Sequence, residues 1–237
     1  MIQDLKAFHG DAAIKDKYLG RVRAHAAADR LIQGTGWNGE KGCAVGCTLE
    51  AYDHSRYPIE LGLPEWLARL EDSIFEGLPV ELAMTWPERF LSAIPVGANL
   101  EPVRHRLALA RFSRLIELQE QNLGKHDDAI DQVIRQTIDA IKVVAACHEA
   151  ELGYSSCTID WSAAESAAES AAESAAESAW SAWSAAKSAA WSAWSAARSA
   201  AESAESAESA AESAESAESA AWITESETLL ELLAQAE

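Results

Sequence analysis

Between Ser162 and Ala221 the chain is written almost entirely in Ser, Ala, Glu and Trp, and all seventeen serines of the run are followed by alanine. From Ser162 to Ser219 the serines take 16 steps over 57 residues, 3.56 residues per step. That value lies between the 3.6 of a straight α-helix and the 3.5 of a left-handed supercoil. The mixed spacings of three and four exclude a strand, whose period is two. No Gly or Pro occurs after Ser162, and alanine is the best helix former. The run therefore predicts one continuous helix of about 90 Å at 1.5 Å per residue.

The faces of that helix follow from the angles. With Ser at 0°, the next Ala sits near 100° and the variable residue falls between about 200° and 300°. Ser and Ala thus form a seam of small side chains, the kind of surface that lets two helices approach closely. The opposite side is zoned: Glu165 to Glu177, then Trp180, Trp183, Lys187, Trp191, Trp194 and Arg198, then Glu202 to Glu218. Four Trp on one side make a patch too large to stay bare. Beyond the repeat, Trp222, Ile223, Leu229, Leu230, Leu232 and Leu233 form an apolar stripe expected to anchor the helix against the body or a second subunit. A solvated helix left by expansion of a short repeat is the plainer alternative.

Residues 1–155 have ordinary composition and are expected to form a compact helical domain, with 156–237 as the long repeat helix. The predicted class is all-α. The 237 residues carry a net charge of −19, a surface that repels phosphate backbones, so nucleic acid is not an expected partner. No apolar stretch approaches the ~20 residues of a membrane span. The opening MIQDLKAFHG lacks a basic segment followed by an apolar core, so no signal peptide is expected. Four cysteines are too few for a disulfide framework at this length, and a reduced, cytoplasmic protein is expected.

Asp11 is placed to cap a helix reaching about Ile32, with Ile14, Tyr18, Leu19, Val22 and Ala26 inward. Lys17, Arg21, His25 and Asp29 repeat at i, i+4 and read as a solvated stripe. The stretch GTGWNGEKGCAVGCTLEAYDH, residues 34–54, is the most suggestive chemically. Its glycines, Lys41 and a helix expected from about Cys43 to Asp53 could favour an anion. It is not a Walker A loop, because Glu40 stands where lysine is required and Gly42 follows Lys41. A plain interhelical loop is the alternative.

Cys43 and Cys47 share one helix face. Small core residues are the commonest fate of such cysteines. A zinc set with His54 and His9 competes with that reading, as does a nucleophilic Cys43 assisted by His54 or His9. Farther on, Pro64 suits the first turn of a helix holding Trp66, Leu67, Leu70, Ile74 and Phe75. Glu65, Arg69, Asp72 and Glu76 read as an exposed ladder on its other side, although paired carboxylates also serve acid/base or metal chemistry.

KGCAVGCTLEAYDH, ELGLPEWLARLEDSIFEGLP and FLSAIPVGANL, with the alanine-rich repetitive tail, resemble a group of uncharacterised bacterial and phage proteins. The resemblance covers the first ~100 residues and the style of the tail. It implies a small cytoplasmic module and transfers no catalytic residue.

Two further helices are expected, from Pro102 to about Leu123 and from Asp127 to Leu152. The second has Ile130, Val133, Ile134, Ile138, Ile141 and Val144 along one stripe. Arg104, Arg106, Arg111 and Arg114 lie in the first, suited to an anion or to the acidic tail.

These readings define a leading function: a non-enzymatic assembly protein whose seam or Trp patch brings copies of the chain together. A second is a binder of a nucleotide-like anionic small molecule through Gly36, Gly39, Lys41, Gly42, Arg104, Arg106 and Arg111. A third is a Cys/His-dependent enzyme centred on Cys43. No cofactor or metal is assigned.

Overall fold

The computed structural model describes residues 5–126, 128–150 and 216–237. They are helical, and no strand occurs among them, so the all-α class holds. The boundary expected near residue 155 and most of the Ser/Ala repeat lie outside the described residues. The chain divides into two units, Met1–Leu107 with Glu215–Glu237, and Ala108–Ala214.

In the first unit a 3-10 turn, Ala7–Gly10, leads into α1 (Ala12–Ala27). Asp11 caps α1 as expected, its Oδ1 accepting from Ala13 N–H at 2.8 Å. The helix stops earlier than its pattern suggests, because Asp29 takes a left-handed backbone with φ 55°. The stripe read as solvated is so only at its ends, where Lys17 and Asp29 are exposed. His25 is buried, and Arg21 reaches across to donate to the Thr48 carbonyl at 2.9 Å.

Helix α2 (Ala44–Leu49) is short because Glu50 adopts φ 54°, which the helix cannot continue. A 3-10 turn, His54–Arg56, opens into α3 (Tyr57–Glu60), and α4 (Glu65–Gly77) begins directly after Pro64. Pro79 precedes α5 (Val80–Ala83), and α6 (Trp86–Ala93) carries Pro87 in its first turn, where proline costs no helix hydrogen bond. α1 packs on α2 and α6, while α4 packs on α2, α5 and α6. The core they enclose holds Phe8, Tyr18, Tyr57, Leu67, Ile74, Phe75, Trp86 and Phe90.

Residues 216–234 form α9, which belongs to this unit. Leu229 and Leu233 are fully buried in the same core. Trp222 lies so close to Gly77 that any side chain there would meet its indole ring. Arg89 holds Glu227 through Nη2, at 2.7 Å to Oε1 and 2.8 Å to Oε2. The expected apolar anchor is thus seated on the body of its own chain.

Helix α7 (Glu101–Glu120) contributes Val103 and Leu107 to the first unit's core. The described part of the second unit comprises the rest of α7 and α8 (Asp128–Glu149), joined by a turn in which Gly124 N–H donates to Asp131 Oδ2 at 2.8 Å. Ile134, Ile138, Val144 and His148 are its buried α8 positions, whereas Ile130 is exposed. Cys43 and Cys47 are free thiols. Cys147 is disulfide-bonded, against the expectation that all four cysteines are reduced.

Candidate functional site

The 34–42 loop folds as a close-packed plug. Leu31 and Trp37 each form a single bridge with Gly42. Ile32 N–H donates to Gly42 O and Gly42 N–H to Arg30 O, both at 3.0 Å. Asn38 Oδ1 accepts from the amides of Glu40 and Lys41, at 3.0 and 2.8 Å. The Gly36 carbonyl accepts from Cys43 N–H at 3.0 Å and sits where a methyl at Gly42 or Gly46 would be. The glycines therefore serve close backbone approach here. The start of α2 is capped by Cys43, whose Sγ accepts from Gly46 N–H at 3.4 Å, and Ala44 to Gly46 are buried.

Gly36, Gly39, Lys41 and Gly42 share this loop. Arg104 and Arg106 are exposed on α7. No hydrogen bond or ion pair among the described residues joins those two arginines to the loop. Arg111 belongs to the second unit.

A different group of side chains does converge. Asp72, on α4, is 8 % exposed. Its Oδ2 accepts from the Tyr52 hydroxyl at 2.8 Å and meets His54 Nε2 at 3.2 Å. Its Oδ1 is buried without a hydrogen-bond partner. Cys43 also faces this carboxylate. Glu76, one turn along α4, stands at the exposed edge, its Oε2 accepting from Gly34 N–H at 2.7 Å. Cys43, Asp72 and Glu76 each offer a ligand atom within 4.8 Å of the other two.

The expected exposed ladder on α4 is only half present. Glu65 and Arg69 pair in solvent, but Asp72 turns inward to Tyr52 and His54. The zinc set Cys43, Cys47, His54 and His9 is not assembled either. Cys47 Sγ points to the carbonyls of Gly42 and Arg30, at 3.4 and 3.6 Å. His9 Nε2 contacts the Ile59 carbonyl at 3.0 Å. Only Cys43 and His54 reach the cluster.

Beside it lies Glu71, fully buried. Tyr57 donates its hydroxyl to Oε2 at 2.5 Å, and Oε1 has no partner. Burial pushes this carboxyl up to about 8, the neighbouring Asp72 adding to the effect against the opposing pull of the Tyr57 hydroxyl. Burial likewise pushes the Cys43 thiol well up, with Asp72 reinforcing it. That direction is opposite to the depressed thiol of a nucleophilic cysteine. Tyr52 is raised to about 12, first by its hydrogen bond to Asp72.

Sequence reading missed Glu71 and placed Asp72 in an exposed ladder, with acid/base or metal chemistry as the alternative. A signal existed for Glu71, which falls four residues after Leu67 and four before Phe75, on the apolar stripe itself. Comparison of the chain with protein-family models, curated proteins and solved structures returned no match.

Proposed function

We propose that the chain is a non-enzymatic interaction and assembly protein whose Ser/Ala repeat forms a long helix that packs closely against a second copy. The seating of α9 carries this reading. Its first residues are the last of the repeat and are already helical, and its remainder is held in the first unit's core by Leu229 and Leu233. The repeat is therefore tethered to the body at its C-terminal end. Along the described part of the seam, Ser216, Ala217 and Ala220 are exposed and Ser219 is half-buried, so most of these small residues stay open to a partner.

Alanine burial yields little free energy per residue, so such a contact must extend over many turns. Among the described residues no helix is long and apolar enough to cross a membrane. The test is light scattering on the full chain across a wide concentration range, with Ala182→Glu and Ala204→Glu placed in the seam. Oligomers that these changes dissociate, while Glu205→Gln on the variable side leaves them intact, are the expected result. A strict monomer at high concentration sinks the reading.

A further inference from the structure

We propose that Cys43 Sγ, Asp72 and Glu76 form a binding site for a divalent, borderline-soft cation, zinc by preference, with a fourth position open to water. This inference stands apart from the assembly reading and uses none of its residues.

Three observations converge on it. The donor atoms already lie within 4.8 Å of one another, although they come from the start of α2 and two successive turns of α4. Asp72, 8 % exposed as a residue and 12 % at its side chain, keeps Oδ1 without a hydrogen-bond partner although the Cys43 thiol faces the carboxylate, a costly state for a carboxylate unless something satisfies it. The cluster is also open on one side, since Glu76 is exposed, so an ion has a way in.

The donor set selects the ion. A thiolate with carboxylate oxygens suits zinc better than magnesium or calcium, which take oxygen ligands. Zinc bonds sulfur near 2.3 Å and carboxylate oxygen near 2.0–2.2 Å, so tetrahedral donors stand about 3.5 Å apart. From separations of at most 4.8 Å, a small inward movement brings the donors to that spacing. Glu76 can supply the movement from the surface: its Oε2 stays on Gly34 N–H, which leaves Oε1 for the ion. Binding displaces the Cys43 thiol proton to solvent, giving the thiolate that ligates. His54 and Tyr52, both on Asp72 Oδ2, orient the ligating carboxylate from outside, as outer partners of metal sites do.

The experiment is titration of the chelator-treated full chain with Co2+ and with Zn2+. One equivalent of Co2+ should bind with a sulfur-to-cobalt charge-transfer band, and Zn2+ should displace it. Glu76→Gln, at an exposed position, should keep the fold and weaken uptake at least tenfold. His54→Ala should weaken it about 10–100-fold, and Cys43→Ser should abolish the band. No uptake by the folded wild-type chain overturns the proposal, as does uptake that Glu76→Gln leaves unchanged. The Glu76 variant keeps the test decisive even if Cys43→Ser fails to fold.

Discussion

The Tyr57 hydroxyl donates to Glu71 Oε2 at 2.5 Å in a part of the core where neither side chain has exposed surface. The donated hydroxyl favours the ionised carboxylate, but burial outweighs it and keeps the proton on Glu71.

That condition gives a pH dependence of stability for the chelator-treated protein. The folded value for Glu71, about 8, lies above the ordinary 4.5. The native state thus holds a proton that the unfolded chain releases between those values. The stabilisation is complete below the unfolded value and is lost as pH rises through the folded one. The slope approaches about 1.4 kcal/mol per pH unit across that window. Glu71→Gln, which keeps an acceptor for Tyr57, should flatten it and be the more stable form at pH 9. Equal pH slopes for the two proteins in urea unfolding would refute this. Tyr57→Phe should cost about 1–3 kcal/mol by leaving the acid without its donor.

Leu233→Ala should destabilise the first unit by about 2–5 kcal/mol, as a truncation in a packed core does. Gly77→Ala should act on the same contact from the other side, by displacing the Trp222 ring, at about 1–3 kcal/mol. Arg89→Ala should cost no more than about 1 kcal/mol, because its partner Glu227 is exposed. Limited proteolysis should release α9 in the first two variants and spare it in the third. Release in all three would mean that the ion pair, and not the core, holds the helix.

Both free thiols should be unreactive in the native protein. Cys43 and Cys47 are fully buried, and burial raises Cys47 to about 11. Alkylation at pH 7.5, mapped by mass spectrometry, should reach them only as fast as the unit opens. Labelling of Cys43 at the rate of a free thiol would revive the nucleophile reading.

Gly46→Ala should destabilise the unit by about 1–3 kcal/mol, because the new methyl meets the Gly36 carbonyl. Gly39→Ala should also destabilise it, but through its backbone, since its φ is +98° while no atom lies near a side chain there. Thermal unfolding together with a structure of each variant separates the two causes, with the loop displaced from α2 only by the change at Gly46.

Much of the helical frame was legible because it follows local rules. Asp11 as a cap, Pro64 before α4, and the stripe of Ile134, Ile138 and Val144 each depend on neighbours within a turn or two. Failures came where residue type conflicted with position. His25 and Glu71 sit on inward faces, yet their polarity made them read as solvated or passed over. Helix ends were missed where Asp29 and Glu50 take left-handed backbones that no flanking glycine announces. The candidate site was half legible: Cys43 and His54 stood out by chemistry, but their common partner Asp72 is brought to them by packing of α4, which spacing along the chain does not encode.

The docking of α9 also bears on how the protein is made. The first unit closes its core with a helix that follows residues 108–214, so a nascent chain exposes the Leu229 and Leu233 pockets until that stretch has emerged. At about 5–20 residues per second, the wait is on the order of 5–20 s. Through it, the apolar surface that receives Leu229 and Leu233 stays uncovered by its own helix. The last helix to be made is thus the one that completes the core of the first unit.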